Sequence, residues 1–210
     1  MVQYFMYQLK KMKLHNNIQK RIYQLAVVVL SGVATASCTS HTPKLAGNTS
    51  DSAKSINEKK FNANNVQDAQ FVADMTELNL QVIQLAQLAQ QKSKVTAVKE
   101  LGRTILDAHT KSLRELKILA TKKSITIPST IADTAKDSYH KMSDLTGNDF
   151  DREYCRYTVS GHRALITLFE KETTEAVDPD IKQWVIKTLP DLRIHLTHAI
   201  ESEKIVTIKK

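Results

Sequence analysis

Three histidines lie where the residue pattern predicts the buried faces of helices. His162 has apolar residues one turn away on either side, with Cys155 and Phe169 two turns away, so its imidazole falls within an apolar stripe. His109 has a similar setting among leucine and isoleucine residues, and His195 lies on a more mixed face. Neutral imidazole nitrogens are ligands for zinc and for first-row transition metals. These residue types could therefore bind a metal ion.

Helix lengths should bring the histidines and one acid to a common height. Glu77 and His109 lie about 16 residues on either side of the turn predicted between the first two helices. His162 and His195 lie at nearly the same distance from the turn predicted between the last two helices. Because an α-helix rises 1.5 Å per residue, we predict that the four side chains meet within a few ångströms of one level.

The residue pattern leaves the role of this polar layer open. In one interpretation the histidines form hydrogen bonds with Glu77, Ser112, Thr158 or water, and so fix which helices are neighbours. In another, the three imidazoles and the Glu77 carboxylate bind zinc or iron, and a different small ligand is a third interpretation. The pattern favours a layer that is structural or binds a small ligand, with metal binding as the alternative.

Known catalytic arrangements are not predicted. Ferritin-like di-iron sites use Glu-x-x-His pairs, but the residues three positions before the histidines are Leu106, Val159 and Leu192. The sequence also shows no Ser/His/Asp spacing, glycine-rich phosphate loop or CxxC pair. We therefore assign no catalytic residue and favour a protein that is not an enzyme.

Four long amphipathic helices are predicted to position the layer. They cover residues 66–92, 95–123 and 147–175 and the chain from Pro179 onward, where Asp178 should cap the helix and Pro190 should kink or divide it. Short connections make the first two helices one antiparallel hairpin and the last two another. Residues 124–147, with a short helix near 132–145, are long enough to run the length of the bundle and so to form a crossover connection between the two hairpins. The predicted fold is an all-α, ferritin-like four-helix bundle over residues 66–205.

Residues 1–37 have the three-part form of an export signal. Five basic residues and no acidic residue precede Cys38, and an apolar run covers Leu25–Ala36. As a helix this run would rise only about 18 Å, against roughly 30 Å of hydrocarbon, so a permanent membrane span is not predicted. Thr35–Cys38 resembles a lipobox, with Cys38 as the lipidated residue, whereas Ala34–Ala36 would suit cleavage by an ordinary signal peptidase.

The lipidated form is favoured because a lone cysteine at the end of the apolar run needs an explanation. Residues 38–65, rich in Ser, Asn and Thr, are then predicted to be a flexible tether. The membrane is the expected partner through this anchor, and the expected location is a bacterial cell envelope, with the protein facing the periplasm. Cleavage at Ala36 would instead give a soluble periplasmic protein.

The net charge of +8 does not predict a nucleic-acid partner. The basic excess lies mainly in the leader, and the chain after residue 37 carries 25 basic and 22 acidic residues. Cys155 is predicted to be a buried, unreactive thiol.

Several short motifs between Gln70 and Ala199 together resemble a known family. They are Leu85-Ala86-Gln87 after Glu77, Asp107-Ala108-His109, Phe150-Asp151 with Tyr154, His162 with Leu168-Phe169-Glu170, and Thr188-Leu189-Pro190-Asp191-Leu192-Arg193-Ile194-His195. The chain is similar to the bacterial exported proteins called domain of unknown function 4142. This resemblance implies a ferritin-like helical fold and an envelope location, often as a lipoprotein, and it implies no established activity.

The chain departs from the pattern of that family at two positions. An acid often precedes the first two motif histidines in such proteins, whereas this chain has Ala108 and Gly161 there. The departure weakens any mechanism that needs a carboxylate at those positions and leaves Asp107 as a candidate substitute near His109.

Overall fold

The computed structural model of the protein describes residues 49–208, without the side chain of Asn64. These residues form six α-helices and no strand, which confirms the predicted all-α class. The helices are α1 (Ser50–Lys60), α2 (Ala63–Lys92), α3 (Thr96–Lys123), α4 (Asp133–Asp144), α5 (Gly147–Glu175) and α6 (Pro179–Ile208). Among the described helices we find none whose length and apolarity would let it span a bilayer. The predicted signal segment and Cys38 lie outside the described residues.

Contacts near their ends give the directions of the four long helices α2, α3, α5 and α6. Asp68, near the start of α2, accepts a hydrogen bond of 2.6 Å from the backbone N–H of Asp178, between α5 and α6. Lys123, at the end of α3, forms an ion pair of 2.6 Å with Asp178. Ser202, near the end of α6, donates to the carbonyl of Ala97 at the start of α3. Therefore α3 runs antiparallel to α6 and parallel to α5, and α2 runs antiparallel to α5.

Apolar side chains from these helices form one core. An aromatic cluster of Phe71, Phe169 and Trp184 joins α2, α5 and α6, with ring centroids 5.5 to 6.2 Å apart. On α3, a Cβ at Gly102 would lie 3.0 Å from the carbonyl oxygen of Ala86, so the close approach of α2 and α3 favours glycine there.

The start of α6 follows the predicted signal, and of the two effects predicted for Pro190, a kink or a division, the helix shows no division. Asp178 Oδ1 accepts hydrogen bonds from the backbone N–H groups of Asp180 (2.9 Å) and Ile181 (3.2 Å), as expected of an N-cap. Pro190 lies inside α6, but the helix continues through it to Ile208 and is not divided.

The predicted tether is too long, because residues 50–60 form α1 and pack against α2. Ala53 and Asn57 of α1 are fully buried. The Asn57 side chain donates to the carbonyl of Thr126 and accepts from its N–H, both at 2.8 Å. The amino-acid composition of this segment did not predict the helix, because α1 is attached by hydrogen bonds to a segment about 70 residues away more than by apolar side chains of its own. α2 also begins earlier than predicted, at Ala63, with Asn62 as its N-cap.

We expect Asn57→Ala to lower the free energy of unfolding by about 1 to 3 kcal/mol, because it removes both partners of the Thr126 backbone. Urea denaturation followed by circular dichroism measures the change. Glu58→Ala, an exposed position on the same helix, is the matched control and should stay within about 0.5 kcal/mol of wild type. Equal small effects of the two substitutions would show that α1 is not held by this contact.

Candidate metal centre

The structure brings together His109 of α3, His162 of α5 and His195 of α6. Their exposed fractions are 5%, 3% and 6%. The ring centroids are 5.7 Å apart for His109 and His162, 6.1 Å for His109 and His195, and 5.5 Å for His162 and His195. One ring nitrogen of each histidine lies within 4.8 Å of the others. Three helices thus direct imidazoles at one point in the core.

Hydrogen bonds fix the proton positions on two of the rings. His109 Nδ1 lies 2.9 Å from Asn79 Oδ1, while Asn79 Nδ2 donates to the carbonyl of Met75 at 2.6 Å. The amide oxygen therefore faces the histidine and accepts. His162 Nδ1 lies 2.9 Å from the carbonyl oxygen of Thr158, which can only accept. Both rings must carry their proton on Nδ1, and this leaves a lone pair on Nε2.

Three of the four remaining ring nitrogens are buried without a hydrogen-bond partner in the described part of the chain. These atoms are Nε2 of His109, Nε2 of His162 and Nδ1 of His195, and all three are buried. Buried polar atoms are nearly always bonded, and an unpaired one costs about 1 to 3 kcal/mol. Histidines that bind metals show this division, with one nitrogen donating to an amide or carbonyl oxygen and the other directed at the ion.

Burial keeps the three imidazoles neutral. Loss of solvation, followed by the nearby His195, lowers the pKa of His162 to about 4. Burial also lowers the pKa of His109 well below its usual value, with further contributions from His162 and His195. The pKa of His195 is lowered mainly by burial, against an opposite effect of Asp191. Neutral imidazole is the form that ligates metals, so near pH 7 the folded chain keeps the three rings in the form that could bind an ion.

Glu77, predicted to belong to the same layer, does not join the histidines. Its Oε2 accepts from the N–H of Ser50 at 2.9 Å, and its Oε1 accepts from the N–H of Ala132 at 2.7 Å. Glu77 therefore links α2 to the starts of α1 and α4. On α2, the residue that contacts the histidines is Asn79 instead of Glu77. Asn79 is two residues after Glu77, and at about 100° per residue its side chain points to nearly the opposite side of the helix.

Two cavities adjoin the three histidines. The larger, about 40 Å³, lies beside His109 and His195. Its polar lining includes Asn79, Ser112, Thr188 and Asp191, and its apolar lining includes Met75, Leu165 and Phe169. The smaller, about 20 Å³, lies beside His162 and is lined by Tyr154, Tyr157 and Ile105. Cavities therefore border the three histidines on more than one side.

The other predicted residues lie apart from this cluster. Among the described residues, His109, His162 and His195 are the group whose ligand atoms could hold an ion together. Asp107 is exposed on α3. Cys155 is a buried free cysteine whose pKa is raised to about 12, chiefly by burial, so its thiol stays protonated.

Comparison with protein families gives a match to the domain of unknown function DUF4142 over residues 53–201. The chain belongs to this family. The matched region begins within α1, ends within α6, and includes all three histidines. Comparisons with curated proteins and with solved structures yield no match. Membership of DUF4142 confirms the resemblance seen in the sequence and assigns no activity.

We expect the metal-free protein to lose stability as the pH falls from about 6.5 to about 4. The pKa of His162 is about 4 in the folded chain and about 6.5 in the unfolded chain, so the unfolded chain binds more protons in this window. The contribution is fully present above pH 6.5 and decreases toward pH 4, by at most about 3 kcal/mol for His162.

Urea denaturation at several pH values, in the presence of a chelator, measures this dependence. Carboxylates also titrate in the window, so the informative quantity is the difference between wild type and His162→Gln. The variant should show a shallower decline than wild type. Parallel pH profiles for the two proteins would contradict the assignment of His162 as a neutral buried group.

Proposed function

We propose that this DUF4142 protein is an exported, lipid-anchored helical protein that binds one divalent transition-metal ion through His109, His162 and His195. The observation that carries the proposal is the convergence of three buried histidines, each of which has a buried ring nitrogen without a hydrogen-bond partner. A purely structural polar layer would need hydrogen-bond partners for these atoms, and the described residues offer none within hydrogen-bond distance. A metal ion would satisfy all three nitrogens at once.

The ligand set favours zinc. Three neutral imidazoles without a thiolate or carboxylate suit zinc, copper, iron and nickel better than calcium or magnesium, which prefer oxygen ligands. Zinc bound by three histidines commonly keeps a fourth position open. Tetrahedral zinc at about 2.0 to 2.1 Å from nitrogen would hold the nitrogens about 3.4 Å apart. Nitrogens separated by up to 4.8 Å would therefore move together by up to about 1.4 Å when zinc binds.

We also infer that the four long helices adopt the ferritin-like arrangement. The hairpins α2/α3 and α5/α6, with α4 in the connection between them, have the order and directions of that bundle. In this arrangement α3, α5 and α6 supply the ligands, while α2 supplies Asn79. The absence of a Glu-x-x-His pair at each histidine distinguishes the proposed single-ion site from a di-iron centre.

The proposed location depends on residues before the described part of the chain. The basic and apolar leader and Cys38 support export and lipidation, and the membrane would be the partner of the lipid. If Cys38 is the acylated first residue, the chain to Ser50 can span at most about 40 Å. Since α1 is packed on α2, the helices would be held within that distance of the membrane surface.

For the metal site, we expect purified protein without a histidine tag, made as Cys38→Ser so that it remains soluble, to retain about one zinc ion per chain after loading and dialysis. His109→Leu and His162→Leu should each reduce zinc affinity at least 100-fold, because each removes one of three ligands. Elemental analysis and competition with a coloured chelator measure the two quantities.

Two variants serve as controls for the metal experiment. His198→Ala removes an exposed histidine one turn from His195, and Glu77→Gln alters the carboxylate that contacts Ser50 and Ala132. Both should bind zinc as wild type does. A folded wild-type protein without zinc, or zinc affinity that is unchanged in His109→Leu and His162→Leu, would refute the proposed site.

For the location, we expect mass spectrometry of the mature protein from a bacterial membrane fraction to identify a lipid-modified Cys38 at the amino terminus. The Cys38→Ser variant should move to the soluble periplasmic fraction. An unmodified amino terminus at Ser37 in the wild-type protein would show that ordinary signal peptidase cleavage is correct instead.

A further inference from the structure

The proposed metal site would bring into the core a charge that its three ligands do not neutralise. Three neutral imidazoles would leave a divalent ion with its full charge of +2, at a place where the ligands are at most 6% exposed. A buried charge is costly unless an opposite charge accompanies it. A negatively charged fourth ligand would therefore stabilise the bound ion more than a neutral one would.

No nearby carboxylate of the described chain is placed to be that ligand. Both oxygens of the Glu77 carboxylate accept hydrogen bonds from backbone N–H groups, one from Ser50 and one from Ala132. Glu115 lines the larger cavity, but it accepts from Trp184 Nε1 at 3.1 Å and lies 3.7 Å from Lys187 Nζ. Asp191 lines the same cavity but is exposed and is not among the residues whose ligand atoms converge.

The larger cavity has the size and lining to admit an anion from solution. It adjoins two of the three histidines and has a volume of about 40 Å³. A single water needs about 10 to 15 Å³, so the space could hold about three waters or an anion of three or four heavy atoms. Ser112 and Lys111 contribute to its lining, and a hydroxyl and an ammonium group can each donate a hydrogen bond to an anion.

We propose that a small monovalent anion enters through this cavity and occupies the fourth coordination position of the metal. This inference rests on the proposed function, because it requires the ion bound by the three histidines. The ligand class is hydroxide or another anion of up to about four heavy atoms. The apolar walls formed by Met75, Leu165 and Phe169 limit its size.

The test uses the Cys38→Ser chain loaded with Co²⁺, whose visible absorption reports the ligands around the ion, and sodium azide as the anion. We expect a saturable spectral change with one azide per bound Co²⁺. Ala108→Leu should weaken azide binding at least tenfold, because Ala108 lines the cavity and a larger side chain would fill it. Thr110→Leu, an exposed change on the same helix, should bind azide as wild type does.

Cobalt content, measured in every sample, separates the outcomes. A folded protein that takes up no Co²⁺ at the three histidines would overturn both the proposed function and this inference. Co²⁺ bound by the histidines with a spectrum insensitive to azide would overturn this inference alone. Unchanged azide affinity in Ala108→Leu would overturn the inference that the anion enters through the cavity. If Ala108→Leu does not fold, Ser112→Leu, at another residue of the same cavity lining, takes its place.

Discussion

The arrangement depends on three imidazoles that are buried, neutral and directed at one another. Their convergence requires that α3, α5 and α6 meet at one height and that two of the rings are turned by hydrogen bonds from Nδ1 to Asn79 and Thr158. The core supports both conditions. Asn79 is held by a second hydrogen bond to Met75 within α2, and α2 approaches α3 closely at Gly102. Without the hydrogen bonds to Asn79 and Thr158, neither ring would be constrained to present Nε2 to the centre.

This arrangement lowers the stability of the fold when no ion is bound. Three buried nitrogens without partners reduce the stability of the metal-free fold, and the lowered pKa of each histidine expresses the same loss of solvation. An ion bound to the folded chain alone would recover that free energy and stabilise the fold further, by an amount that increases with its concentration relative to its dissociation constant. Binding and folding would thus be linked at the centre of the molecule.

Much of the fold could be predicted because its signals are local. Apolar periodicity and the Asp178-Pro179 start signal gave helix limits within a few residues of those observed. The shared height of the histidines followed from counting residues from the turns. Side-chain direction was harder: Glu77 has the correct height, but only the packing of α2 shows that Asn79, not Glu77, faces the cluster. No local signal singled out Asn79, because α2 carries many other amides, among them Gln81, Gln84 and Gln87. α1 was missed for a related reason, since Asn57 finds its partner at Thr126, far along the chain.

Long-range proton–nitrogen NMR of the histidine side chains at neutral pH tests the central claim most directly, because it reports which ring nitrogen carries the proton. The account predicts that, in the metal-free protein, His109 and His162 are neutral with the proton on Nδ1, and that their Nε2 signals shift on addition of one equivalent of zinc while those of the exposed His198 do not. Protons on Nε2 of His109 and His162, or Nε2 signals that zinc leaves unchanged, would contradict it.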